Sequence, residues 1–130
     1  DSGKVQTRLT APKENDYENG NREFPEGVFI EFYKGDSVQT TLVGDYAIYE
    51  SATDLYTIKD SVVIYNKNDR TTMNTQLIHW KPSNEYKQRV FTDKFVTIES
   101  PRRTMRGTGL TASDDFIFYE ITSPVGSMDH

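Results

Sequence analysis

The chain has no cysteine. That removes disulfides, thiolate metal sites and thiol nucleophiles together, and by itself does not settle a redox compartment. Histidine is almost as scarce: His79 and the terminal His130 are the two. A single internal imidazole without sulfur ligands does not make a zinc site. Leucine and alanine number only 5 and 4 in 130 residues, too few for a helical bundle or a coiled coil. No apolar run exceeds four residues, the length of Val62-Val63-Ile64-Tyr65. A membrane span needs roughly 18, so nothing within these residues reads as a span or a signal peptide. Positive charge is also short. Fifteen Lys and Arg face twenty Asp and Glu, a net charge of −5, which argues against general nucleic-acid binding.

What is present is β-forming. Thr, Val and Ile number 15, 9 and 8, and aromatics make up 12% of the chain. Such residues suit pleated, half-buried surfaces. Apolar and polar residues alternate over most of the length. Val5, Thr7, Leu9 and Ala11 form one phase of an opening strand. Pro12 to Glu26 is polar and reads as a long loop. Val28, Ile30 and Phe32 share the next phase, with Glu31 and Tyr33 opposite, and Lys34-Gly35-Asp36-Ser37 is a turn. Leu42 to Tyr49 follows, with a bulge expected near Gly44-Asp45. Further strands are expected over Asp54–Tyr65, Thr71–Trp80, Arg89–Glu99, Met105–Ala112 and Phe116–Ile121. Turn clusters separate them, including Pro82-Ser83-Asn84 and Ser113-Asp114-Asp115. The spacing predicts an all-β chain: a meandering antiparallel sheet, a sandwich or an open barrel.

Part of the alternation repeats. A shift of 33 residues superposes Asp60 on Asp93, Val63 on Val96 and Arg70 on Arg103. It also superposes Thr71 on Thr104, Thr75 on Thr108 and Leu77 on Leu110. A looser copy begins at Val28, at a shift of 34. Stacked strand pairs would bury a continuous apolar stripe and leave two open ends.

Catalytic signatures are weak, and no enzyme, cofactor or metal site is expected. His79 sits in a strand pattern and is read as structural. Asp114 and Asp115 are adjacent, so on extended chain they point apart and cannot converge as an acid–base pair. Gly107-Thr108-Gly109 falls far short of a phosphate loop. Arg102, Arg103 and Arg106 form the one basic cluster, a candidate anion contact against a plain solvated turn. Phe91, Phe95, Phe116 and Phe118 read as core or as the lining of a ligand cavity.

Ordered along the chain, these segments resemble the LptC family of lipopolysaccharide export in its Bacteroidetes form. The similarity runs from Gly3-Lys4-Val5 through Phe24-Pro25-Glu26-Gly27-Val28 and Gly44-Asp45-Tyr46-Ala47-Ile48-Tyr49. It continues through Asp60 to Asn66, Thr75 to Trp80, Thr92 to Ile98, Gly107-Thr108-Gly109-Leu110 and Asp115-Phe116, to Pro124-Val125-Gly126. Two departures stand out. The family's usual Gly-Asn before the valine strand is Asp60-Ser61, and its usual Glu after the threonine is Gln76; both read as strand-end or outward positions.

The resemblance implies one periplasmic domain over residues 1–130, with a polar loop at about 12–26 and a tail at about 122–130. It implies an open twisted antiparallel β-roll or jelly-roll, a trough of the LptC/OstA type with a hydrophobic interior groove. It implies a lipopolysaccharide ligand, received from an inner-membrane ABC transporter and passed to a periplasmic bridge protein of the same β-roll type. The membrane would be reached only through an anchor N-terminal to this chain. Alternation then nominates the groove: Val28, Ile30 and Phe32 first, then Leu42, Ala47, Tyr49, Leu77 and Leu110. In the doubly apolar strand Val62 and Ile64 are preferred over Val63, and Val96 and Ile98 complete the set. The competing reading is a carbohydrate-binding β-sandwich, with Trp80 and tyrosines on an exposed flat face. A glycan hydrolase would need two convergent carboxylates, which only a pair brought together across strands would supply.

Overall fold

The computed structural model describes residues 5–82, 89–113, 116 and 119–129. The described residues hold eleven strands and no helix. They are β1 (Val5–Thr10), β2 (Asn15–Asp16), β3 (Arg22–Phe24), β4 (Val28–Lys34), β5 (Ser37–Gly44) and β6 (Tyr46–Glu50). Then come β7 (Leu55–Asn66), β8 (Thr71–Trp80), β9 (Val90–Glu99), β10 (Arg103–Ala112) and β11 (Tyr119–Asp129). The expected open antiparallel architecture is what forms. One sheet runs β1-β4-β5-β7-β8-β9-β10-β11, with β2, β3 and β6 joined to it as a branch through β7.

The branch explains the shape. β5 pairs with the Val63–Asn66 end of β7, and β6 pairs with its Leu55–Lys59 end. β7 therefore belongs to two half-sheets at once. One contains β1, β4 and β5; the other contains β2, β3 and β6. β8, β9 and β10 continue through both. Where the halves meet, each strand breaks its regular pairing. β5 gives way to β6 at Asp45, and register shifts fall between Lys59 and Val62, between Thr75 and His79, and between Thr108 and Leu110. A bulge bends a strand and increases its twist. Aligned across neighbouring strands, these bulges make a fold line.

The two halves then close face to face. Phe32 of the first packs edge-on against Trp80 of the second, with ring centroids 5.3 Å apart. Residues from both halves, among them Ile30, Leu42, Ile64, Ile58 and Ile78, join one buried cluster. The result is a sheet folded over its own apolar face.

Several local expectations change. The stretch read as a tail from 122 belongs to β11, which runs to Asp129. The polar loop 12–26 carries β2 and β3, paired at Asn15↔Glu23 and Asp16↔Arg22. The strand expected from Leu42 begins at Ser37, because Gln39-Thr40-Thr41 shows no apolar alternation. Asp60 and Ser61 are not at a strand end. They sit in the middle of β7, with φ of 68° and 54°. Ser83 and Asn84 of the expected turn, Asp114, Asp115, Phe118 and His130 lie outside the described residues.

Candidate functional site

The inner face of the folded sheet is the site to test. Val28, Ile30 and Phe32 are 5, 0 and 0% exposed. Leu42, Ala47, Val62, Ile64, Val96, Ile98 and Leu110 are buried as well. Tyr49 is half-buried at the rim, packs against the core and donates its hydroxyl to Asp54 Oδ1 at 2.7 Å. Tyr56, paired opposite, lies 4.5 Å away between ring centroids.

Leu77 is the correction. It is half-exposed and pairs with the exposed Lys59, while Ile78 and Trp80 take the buried phase. Thr71, Met73 and Thr75 point inward in the first half of β8. The bulge before His79 then resets the alternation by one residue. A reading that carries one phase through the strand must misplace Leu77. The bulge likewise hides Ile78, and the short length of β3 hides Phe24, which is fully buried.

The same bulges settle the repeat. Val28, Val62 and Val96 are all buried, as are Ile30, Ile64 and Ile98, so the inward positions recur every 34 residues. Val63, which the 33-residue shift aligns with Val96, is half-buried. On β7 the buried Ile58 and Val62 flank three exposed residues, and on β9 Thr92 and Val96 do the same.

The trough is filled by its own side chains. Between Ile64, Thr71, Met73, Ile98 and Phe116 it leaves a void of about 10 Å³, about the space one water needs. At the other end Trp80 stacks on Tyr56 at 4.8 Å, and Phe24 lies 6.4 Å from Tyr56. Trp80 is 4% exposed, so it forms no flat sugar-stacking face.

The arginines do not converge. Arg102 lies in the turn before β10. Arg103 opens that strand, and Arg106 follows three residues on. Met105 packs toward the core, so Arg106 takes the outer face and Arg103 the inner phase at the rim. An outer cleft of about 610 Å³ borders Tyr17, Arg22, Glu23, Tyr46 and Glu50. Its central carboxylate is already occupied. Tyr46 donates to Glu23 Oε2 at 2.7 Å, and Asn15 Nδ2 and Tyr17 donate to Oε1 at 3.1 and 3.3 Å. These bonds, Tyr46 foremost, hold the Glu23 carboxyl below its usual range and tie the β2–β3 hairpin to β6. His79 is on the outer face, within 2.9 Å of Thr57 Oγ1 through Nδ1 and 5.2 Å from the Phe91 ring. Burial holds its pKa below the ordinary value. Among the described residues no group of three acidic or histidine side chains is placed to hold a metal ion.

The arrangement defines a class: an antiparallel sheet folded into an apolar-lined trough, with edge strands at both ends. β1 pairs with β4, β11 pairs with β10, and no further strand covers either among the described residues. The family model described as "Lipopolysaccharide-assembly, LptC-related" matches residues 1–116. The chain belongs to this family, whose members take part in lipopolysaccharide transport and assembly. No curated protein matches the chain. No helix among the described residues is long and apolar enough to cross a membrane.

Proposed function

We propose that this chain is a periplasmic carrier that covers the acyl chains of lipopolysaccharide while leaving its saccharide in water. It accepts the lipid from an ABC transporter in the inner membrane, to which the full-length protein is tethered, and passes it to the next β-roll of the bridge. One observation carries the reading: the apolar faces of a single sheet meet across a fold line, and among the described residues no further strand covers β1 or β11. Each methylene removed from water contributes roughly 0.8 kcal/mol, so acyl chains favour such an interior strongly. The alternating phase supplies the partition, apolar inside and polar outside. The open edges β1 and β11 support backbone pairing with like-folded neighbours, extending one apolar track from protein to protein. The interior is packed, so lipid enters as the facing halves part, and the Phe32–Trp80 contact is where they touch.

The test is site-specific photocrosslinking in cells. A crosslinker replacing Ile30 or Ile78, both fully buried, should capture lipopolysaccharide. One replacing Phe29, 40% exposed on the opposite face of β4, should not. Absence of adducts at both inward positions, or equal capture at Phe29, refutes the carrier reading.

A further inference from the structure

Two buried donors inside the trough lack partners among the described residues. The Trp80 indole Nε1–H and the Gln39 side-chain amide at Nε2 find no acceptor there, although these residues are only 4 and 5% exposed. A buried donor without an acceptor forfeits its hydration and receives nothing in return. Both donors flank Phe32. Trp80 packs edge-on against that ring at 5.3 Å. Gln39 is the extra residue of a bulge: Phe32 pairs with Thr40 and Tyr33 with Val38, so Gln39 is unopposed. Gln39 and Thr40 are both buried beside each other there. The two donors come from facing half-sheets and lie near strand ends. Gln39 is two residues into β5, and Trp80 is the last residue of β8. They therefore sit at the ends of their half-sheets that lie away from the fold line, just inside the rim.

Their surroundings select the acceptor. Phe32 and Tyr56 supply apolar ring faces around Trp80. A phosphate placed there would lose its hydration in an apolar site. A neutral carbonyl would not carry that penalty. In an acylated saccharide the ester and amide carbonyls stand between the sugar and the chains. With chains inside and sugar outside, those carbonyls fall at the rim. We infer that Trp80 and Gln39 are positioning residues whose N–H groups receive the acyl-linkage carbonyls of the bound lipid. The inference rests on the carrier reading and adds the atoms that set the lipid's depth.

The experiment is competition against fluorescently labelled lipopolysaccharide. Two synthetic glycolipids share sugar and chain length, one ester-linked and one ether-linked. The wild-type chain should prefer the ester by about fivefold for each donor engaged. Trp80→Phe and Gln39→Leu should each reduce the preference, and the double variant should abolish it. Trp80 is the single tryptophan, so its emission should shift to the red with the ester lipid and not with the ether lipid. Gln39→Leu should leave Tm unchanged or raised, since it removes an unpaired amide. If lipopolysaccharide binds and the two glycolipids compete equally, the inference fails while the carrier reading stands. If Gln39→Leu lowers Tm and keeps the ester preference, the amide is satisfied within the fold and the inference fails. If lipopolysaccharide itself does not bind, the carrier reading falls and takes the inference with it.

Discussion

Gly44 offers a direct test of the fold line. It ends β5 where the first half-sheet gives way to the second, and it is buried. A Cβ at this position would run into Ile58 Cγ2, with Lys59 O at 3.4 Å and Val62 Cγ2 at 3.6 Å. Ile58 is fully buried and cannot swing into solvent. Gly44→Ala therefore overpacks the site and should cost about 1–3 kcal/mol. Ile58→Ala leaves a cavity and should cost about 2–5 kcal/mol. Independent effects would sum. Here the methyl introduced at position 44 enters the space that Ile58 Cγ2 vacates. The double variant should lose little more than Ile58→Ala alone, a coupling of about 1–2 kcal/mol in favour of the pair. Urea titrations of the four proteins, compared at equal m-value, measure it. Additivity within about 0.5 kcal/mol would mean the strands do not approach each other here, and the fold line would be wrong.

Three further outcomes follow from named groups. Ser61, exposed at φ 54°, should resist valine: Ser61→Val ought to stabilise an ordinary strand, yet here it should destabilise by about 1–2 kcal/mol, while Ser61→Asn stays near neutral. A lower urea midpoint for the asparagine variant than for valine would contradict the left-handed bulge. His79 is held below its ordinary value of 6.5 by burial, against weaker pulls from Asp93 and Glu50. The unfolded chain then binds more protons than the native one, so stability should be full above about pH 6.5 and fall as pH drops through the lowered value. His79→Gln should flatten that part of a Tm–pH profile, and an unchanged slope would refute the assignment. Ile30→Asp puts a charge at a fully buried position and should cost roughly 4 kcal/mol or more; a cooperative melt at the wild-type temperature, followed by circular dichroism, would exclude an inward Ile30.

The sheet is legible in the sequence wherever one phase of alternation survives unbroken. Val28, Ile30 and Phe32 on β4 are buried where the pattern places them; Val62 and Ile64, preferred over Val63 in a strand apolar on both faces, are buried too. The family is legible too, because ordered segments carry it even where single motifs are weak, and the family model covers residues 1–116. What escapes is tied to interruptions. Leu77 is misplaced by its pattern because β8 changes phase between Thr75 and Ile78, and a bulge in polar residues leaves no apolar mark. Phe24 is hidden because a three-residue strand within polar sequence shows no period at all. The departure at Asp60-Ser61 looks peripheral in the sequence and is central in the fold. The structure gives both residues positive φ, a conformation that glycine and asparagine reach at least cost.

Those interruptions are what make a trough out of a sheet. A strand with unbroken alternation keeps one face apolar from end to end and leaves that face to be covered by another layer. This chain has no helix among its described residues to provide one. It must cover its apolar face with itself, and every strand crossing between the halves has to turn at the same level. Asp45, Asp60 and Asp93 all lie at that level and are exposed. Asp45 donates its backbone N–H to the Asp60 carbonyl at 2.9 Å, pinning the break between β5 and β6 to the bulge of β7. Lys94 N–H donates to Thr92 Oγ1 at 3.1 Å within the corresponding bulge of β9. Oxygens at the bend, the Asp60 carbonyl and the buried Thr92 hydroxyl, accept from backbone N–H groups that the ladder has released. The positions that spoil the hydrophobic pattern are thus the hinge of the architecture. The apolar residues on either side of them face inward and close the core that the bend creates.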